Sequence, residues 1–302
     1  MTSLGKANFY VKPEVRQAFE QGKPVVALES TVITHGLPYP ENIRMASDLE
    51  MEIREEGCIP ATIAIIDGKI SVGLDSTQLE QLVHTEDIVK ISVRDIAPAI
   101  VLHKSGGTTV AGTLAIAARA GIKVFATGGI GGVHRGTLFD VSADLDQLAH
   151  TQLVVVCAGA KAILDIPATL EVLETNGVPV IGYQTNEFPA FYSISSGLPV
   201  STRVDNPEEV GILAKTHWEM GFKSSILVAV APPAEVAVND RLVESAIQAA
   251  MEDAEKMNIH GQSITPFLLR RVSELTGGLS LKANLGLLRN NARVAAKIAH
   301  FV

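Results

Sequence analysis

Between Ile122 and Lys161 two short apolar runs, Ile122-Lys123-Val124-Phe125-Ala126 and Leu153-Val154-Val155-Val156-Cys157, bracket a glycine-dense segment. Apolar runs of this length read as buried strands, which limits the chain to folds with an interior sheet. Each run ends in small residues. The first opens into Thr127-Gly128-Gly129-Ile130-Gly131-Gly132-Val133-His134-Arg135-Gly136, five glycines in nine residues, and the second into Ala158-Gly159-Ala160-Lys161. Sheets with helical crossovers collect ligands at the C-terminal ends of their strands. The segment is therefore the first place to look for a site.

Glycines at that density free the backbone to adopt positive φ and leave N–H groups unshielded, which suits an anion such as phosphate. His134 and Arg135 at the edge add charged donors. The equally ordinary alternative is a tight connection, since the pattern is neither GxGxxG nor a P-loop. Asp140 and Asp144 form a carboxylate pair four residues apart, although Asp144 also suits a cap for a helix over Leu145–Ala149. Lys161, preceded by small residues just past a buried strand, sits where an amine can be desolvated and made nucleophilic. The alternative is a solvated lysine.

The remaining chain alternates helices and strands. Helices are expected over Pro13–Gln21, Glu41–Glu55, Thr77–His84, Ala111–Ala120, Ile163–Asn176, Pro207–Met220, Asn239–Met257, from Ser263-Ile264-Thr265-Pro266 to a glycine stop at Gly277-Gly278, and over Ser280–Ile298. The stripe Leu242, Ala246, Ala249 and Ala250 is the expected inner face of the long one. Strands are expected at Val25–Leu28, Ala61–Ile66, Ile88–Ser92, Val178–Tyr183 and Ser225–Val230. Asp67-Gly68 turns the second into Lys69–Val72 as a hairpin, so part of the sheet is antiparallel. His35–Pro40, Lys104–Val110 and the aromatic- and hydroxyl-rich Thr185–Ser196 read as loops. The loop before Ala111 is a second candidate anion site at a helix start. Glu29, directly after Val25–Leu28, is either paired, protonated or an exposed turn residue. Lys90, between Val89 and Ile91, needs an anionic partner if buried and snorkels otherwise.

Composition narrows the classes. Of 302 residues 47% are apolar and 19% charged, which argues against disorder, and no linker or repeat divides the chain. A net charge of −8 argues against a nucleic-acid surface. Cys58 and Cys157 lie in or beside apolar runs and read as reduced, buried thiols. No apolar run reaches the roughly 20 residues of a membrane span, and Met1–Lys6 lacks the apolar core of a signal peptide, so a soluble cytoplasmic protein is expected.

Ala27-Leu28-Glu29-Ser30-Thr31, Thr127–Gly136, Ser142-Ala143-Asp144 and Cys157-Ala158-Gly159-Ala160-Lys161 together resemble the pseudouridine-5′-phosphate glycosidases, a group that includes sequences linked to indigoidine pathways. The similarity runs from about Val25 to Ile298. It implies an α/β fold: one three-layer α/β/α domain over residues 1–302, with a mixed, mainly parallel sheet, residues 1–12 as an extension, and assembly as a homotrimer. It implies reversible cleavage of the C–C glycosidic bond of pseudouridine 5′-phosphate to uracil and ribose 5-phosphate. Lys161 matches the nucleophile that forms a Schiff base, Glu29 the proton donor and Asp140 the ligand of Mn²⁺, with Mg²⁺ the alternative. Lys90, Val110, Ser142, Ala143 and Asp144 match substrate-binding positions, and His134 and Asn284 further members of the pocket. Three positions depart from the family pattern: arginine is common at Val93 and near Ile194, and Asn-Pro where Val230-Ala231-Pro232 stands. A Schiff-base aldolase or lyase for another sugar phosphate keeps Lys161 without uracil. A non-catalytic sugar-phosphate sensor keeps only the glycine loop.

Overall fold

In the computed structural model, which describes residues 8–85, 87–136, 140–259, 261 and 264–302, Val25–Leu28 (β2), Val124–Ala126 (β7) and Val154–Cys157 (β9) lie side by side and parallel. All of their side chains are buried. Strands covered on both faces need no polar alternation, which is why each reads as a bare apolar run. The sheet continues in the order β1-β4-β3-β2-β7-β9-β13-β11-β12, with Phe9–Val11 (β1), Ile59–Ile66 (β3), Lys69–Val72 (β4), Val180–Tyr183 (β11), Thr202–Val204 (β12) and Ile226–Val230 (β13), while Val133–His134 (β8) and Leu164–Asp165 (β10) pair apart from it. β3 and β4 form the expected antiparallel hairpin through Asp67-Gly68, Gly68 having φ +73°. β1 falls within the twelve residues expected to be an extension, yet pairs in parallel with β4.

Two local expectations fail. Gly106–Thr108 is a strand (β6), pairing with β3 and with Val89–Ile91 (β5), where a loop was expected. Its sequence, Gly-Gly-Thr, carries almost no side-chain signal, and it is fixed by partners distant in the chain. Val32–Gly36 winds into a π-helical turn, so His35 and Gly36 are not in open loop. Thr202–Val204 had no recognisable strand pattern and is recruited by β11.

Helices flank the sheet in an α/β/α arrangement. Pro13–Glu20 (α1), Glu41–Glu55 (α2), Ser76–His84 (α3) and Val93–Val101 (α4) precede Val110–Ala120 (α5), which Thr109 caps through Gly112 N and Gly121 ends at φ +89°. Its small residues let it lie close to β2, β3 and β4. Ala143–Ala149 (α6), Ile166–Thr175 (α7), Pro207–Glu219 (α8), Asp240–Lys256 (α9) and Ile264–Leu275 (α10) follow. On α9 the buried face is Val243, Ala246, Ile247, Ala250 and Ala254, while Leu242 is exposed. Ala246 and Ala250 of the expected stripe lie on this face, and Leu242 and Ala249 do not. Leu279–Ala299 (α11) crosses β2, β7 and β9 and packs beside α2 and α8. Ser280, Asn284 and Asn291 are the polar members of its otherwise apolar buried stripe.

Candidate active site

Three neighbouring parallel strands end on one cavity. Glu29 follows β2, the glycine loop follows β7, and Lys161 follows β9 through Gly159 at φ +89°. The cavity holds about 620 Å³, and its lining includes every residue that the family resemblance assigns to the site: Glu29, Lys90, Val110, His134, Asp140, Ser142, Ala143, Asp144, Lys161 and Asn284. A wider cleft of about 790 Å³ adjoins it and shares His35, Lys90, Asp95 and Pro266. Its other lining residues carry none of the sequence-derived chemistry.

Glu29 is buried, with 8% of its surface exposed, and Thr127 donates to its Oε1 at 2.5 Å. Burial pushes its carboxyl above the ordinary carboxylate range, and the charge of Asp144 adds to the rise. Lys161, the Thr127 hydroxyl and Lys90 pull the other way without cancelling it. The outcome favours a carboxylic acid that keeps its proton. Lys90 is half-buried, and burial followed by repulsion from Lys161 lowers its pKa, against the attraction of Asp144 and Glu29. Lys90 is therefore a cavity residue and not a snorkelling surface lysine. His134 is likewise lowered by burial, then raised by Asp140 and lowered by Lys90 and Lys161.

The glycine loop works differently from the anion nest expected of it. Within Thr127–Gly136 only Gly136 has positive φ. Part of the loop's N–H set is occupied: Thr127 N donates to Val156 O, Ile130 N to Gly159 O, Gly131 N to Asp144 Oδ2, Val133 N to Thr169 Oγ1 and His134 N to Asp140 O. Glycine is required for close approach. A Cβ on Gly129 would come within 2.6 Å of the Phe191 ring, and one on Gly131 within 2.7 Å of Asp144 Oδ2. Arg135 is not an anion donor either. Its guanidinium donates to Leu164 O and Ala162 O, both at 3.0 Å, and pairs with Glu244 on α9.

Asp144 does not cap its own helix, because Ser142 does so through Asp144 N. The carboxylate instead accepts Ala111 N with one oxygen and Gly131 N with the other, each at 2.8 Å. It thereby sits on the N-terminus of α5, where a carboxylate is favoured by the helix dipole and by otherwise unpartnered N–H groups. The anion-ready position read from Lys104–Val110 is thus partly filled from within. No spacing within α6 could reveal a partner 33 residues away.

Asp140 is exposed at the cavity edge. Among the described residues no three His, Cys, Asp or Glu side chains gather closely enough to cage a metal. A single open carboxylate suits a hard ion that keeps most of its waters or shares a substrate oxygen. Val93 and Arg94 also line the cavity, the latter beside the position where the family pattern favours arginine. Three functional neighbours went unread in the sequence. Thr127 had the same signal as Glu29, a polar residue directly after a buried strand. Phe191, in the left-handed region at φ +65°, and His35 had none.

The model of the indigoidine synthase A-like protein family matches residues 14–301. A pseudouridine-5′-phosphate glycosidase of Caldanaerobacter subterraneus subsp. tengcongensis is 54% identical over 288 residues, 95% of this chain and 94% of that protein. One from Staphylococcus aureus is 50% identical over 301 residues, 99% of this chain and 98% of that one. Among solved structures, a prealnumycin C-glycosynthase in complex with ribulose 5-phosphate is 40% identical with a TM-score of 0.89, covering 96% of this chain and 95% of that chain. An indigoidine synthase A-like protein from Thermotoga maritima is 37% identical at the same TM-score and coverage. With near-complete coverage, about half of all residues shared and the same fold, the chain belongs to the indigoidine synthase A-like family of enzymes.

Proposed function

We propose that this enzyme reversibly cleaves the C–C glycosidic bond of pseudouridine 5′-phosphate, with Lys161 as nucleophile and Glu29 as acid. The observation that carries the reading is the meeting of a proton-holding carboxyl and a lysine amine in one cavity, at the ends of β2 and β9. The names of the relatives supply the substrate, and a sugar 5-phosphate bound to a C-glycosynthase of the same fold agrees with it.

A carbon leaving group has no lone pair to accept a proton before departure, so two carboxylates used as in O-glycosidases do not suffice. Attack of the neutral Lys161 Nζ on C1′ breaks the C1′–O4′ bond and opens the ribose ring, and the proton shed by the new N–C1′ ammonium goes to O4′. The nitrogen lone pair then forms C1′=N as the bond to uracil C5 breaks, and Glu29 delivers its proton to that carbon. Water hydrolyses the imine, releasing open-chain ribose 5-phosphate and restoring the amine. In the reverse direction the Glu29 carboxylate takes the proton from C5.

Lys90, the main chain at Val110 and the Ser142–Asp144 turn contact the sugar phosphate, with His134 and Asn284 completing the wall. Asp140 would hold Mn²⁺ or Mg²⁺, whose charge would offset that of the phosphate. Borohydride added with ribose 5-phosphate should leave a sugar-phosphate adduct on Lys161 of the wild type and none on Lys161→Ala. Equal labelling of the variant would remove the nucleophile assignment.

A further inference from the structure

We infer that Asn291 and Thr127 form a positioning chain behind the cavity that decides which oxygen of Glu29 delivers the proton. The inference rests on the reading of Glu29 as the acid and extends it to two residues that do not line the cavity.

Asn291 is wholly buried on α11. Its Nδ2 donates to Thr127 O at 2.9 Å and to Gly128 O at 3.3 Å, while its Oδ1 has no partner among the described residues. A buried, unpartnered amide oxygen is costly, and an apolar residue of similar size would avoid that cost. Helix packing therefore does not account for the side chain, whereas its two donated bonds do: they hold the backbone where β7 turns into the glycine loop. Thr127 N is held from the other side by Val156 O at 3.0 Å. With its backbone fixed at both ends, Thr127 turns its hydroxyl to Glu29 Oε1.

The Thr127 hydroxyl, whose only partner among the described residues is Glu29, donates to Oε1. The carboxyl proton then resides on Oε2. Thr127 is not among the residues lining the cavity, while Glu29 is. The hydroxyl thus holds Glu29 from behind and leaves the other oxygen for the substrate. Such a bond also favours the ionised form, opposing burial. The remaining charges acting on Glu29 are Lys161 and Lys90, which favour ionisation, and Asp144, which opposes it.

The test is the pH dependence of turnover in both directions for Thr127→Val, which removes the hydroxyl at nearly constant shape. Loss of a donor to a charged acceptor should raise the Glu29 pKa by about one to two units. Cleavage needs the acid protonated, so its alkaline limb should move up by that amount. Synthesis needs the carboxylate, so its acid limb should move up as well. Thr127→Ser should restore the wild-type limbs. Asn291→Leu should move them in the same direction by less, because the hydroxyl remains but is no longer aimed. Thr127→Ala should show the same upward shift as valine, and serves should valine not fold. Lower turnover in Thr127→Val with unmoved limbs would reduce both residues to packing and overturn the inference. That failure is distinct from a failure of the acid assignment, in which Glu29→Gln itself would keep turning over.

Discussion

Replacing Asp144 by asparagine tests whether the glycine loop is held by a carboxylate seated on a helix terminus. Both carboxylate oxygens accept main-chain N–H groups, from Ala111 at the start of α5 and from Gly131 in the loop. Asparagine keeps one acceptor and turns an NH₂ toward the other N–H, so a bond is lost and a donor faces a donor. A hydrogen bond to a charged group contributes about 1.5–3 kcal/mol, and a buried orphaned N–H costs about 1–3 kcal/mol. These overlap, since the orphan is the other half of the lost bond, and the expected destabilisation is about 2–4 kcal/mol. At roughly 2.1 cal/mol/K per residue, a chain of 302 residues changes entropy on melting by about 0.6 kcal/mol/K, so the midpoint should fall by roughly 3–6 °C. Thermal unfolding followed by circular dichroism reads the midpoint. Amide hydrogen exchange at Ala111 and Gly131 reads the site, where protection should drop on at least one of the two. A variant that melts with the wild type and protects both amides equally would refute the argument.

Glu29→Gln should lower C–C cleavage by about 10²–10⁴-fold or more, because glutamine keeps the shape of the acid and cannot deliver a proton. Rapid-quench mass spectrometry should then find an adduct on Lys161 that retains uracil, and near-normal uracil release would exclude Glu29 as the acid. Chelation should suppress turnover and Mn²⁺ restore it, with Asp140→Asn needing more metal for half-restoration. Full activity of demonstrably metal-free enzyme would contradict that role for Asp140.

The sequence made the strands of the site legible for a physical reason. β2, β7 and β9 are buried on both faces, so composition alone marks them, and a polar residue at the end of such a run stands out against it. Glu29 and Lys161 were visible for that reason, and Thr127 was visible in the same way but unread. Pairings that depend on distant partners left no local trace. β6 has two glycines and a threonine, and becomes a strand because β3 and β5 present unpaired edges to it. Asp144 looked like a helix cap because near-neighbour spacing is all a sequence displays, whereas its acceptors serve residues 33 positions before and 13 positions before it. The glycine loop was correctly placed and wrongly explained. Its glycines make room for Phe191, Ser142 and Asp144, and only Gly136 adopts positive φ.

Arg135 bears on the proton inventory of the cavity. Because its guanidinium is committed to Leu164 O, Ala162 O and Glu244, it adds no permanent positive charge to the interior. Arg94 stands exposed at the rim. Deeper in, the basic lining residues are Lys90, Lys161, His35 and His134. Burial holds Lys90, His35 and His134 below their ordinary proton affinities. An arriving phosphate dianion reverses that balance, since negative charge nearby favours the protonated forms. Binding of a sugar phosphate, under the proposed function, should therefore be accompanied by proton uptake. The heat of binding will vary with the ionisation enthalpy of the buffer, as it would not if an arginine supplied the charge.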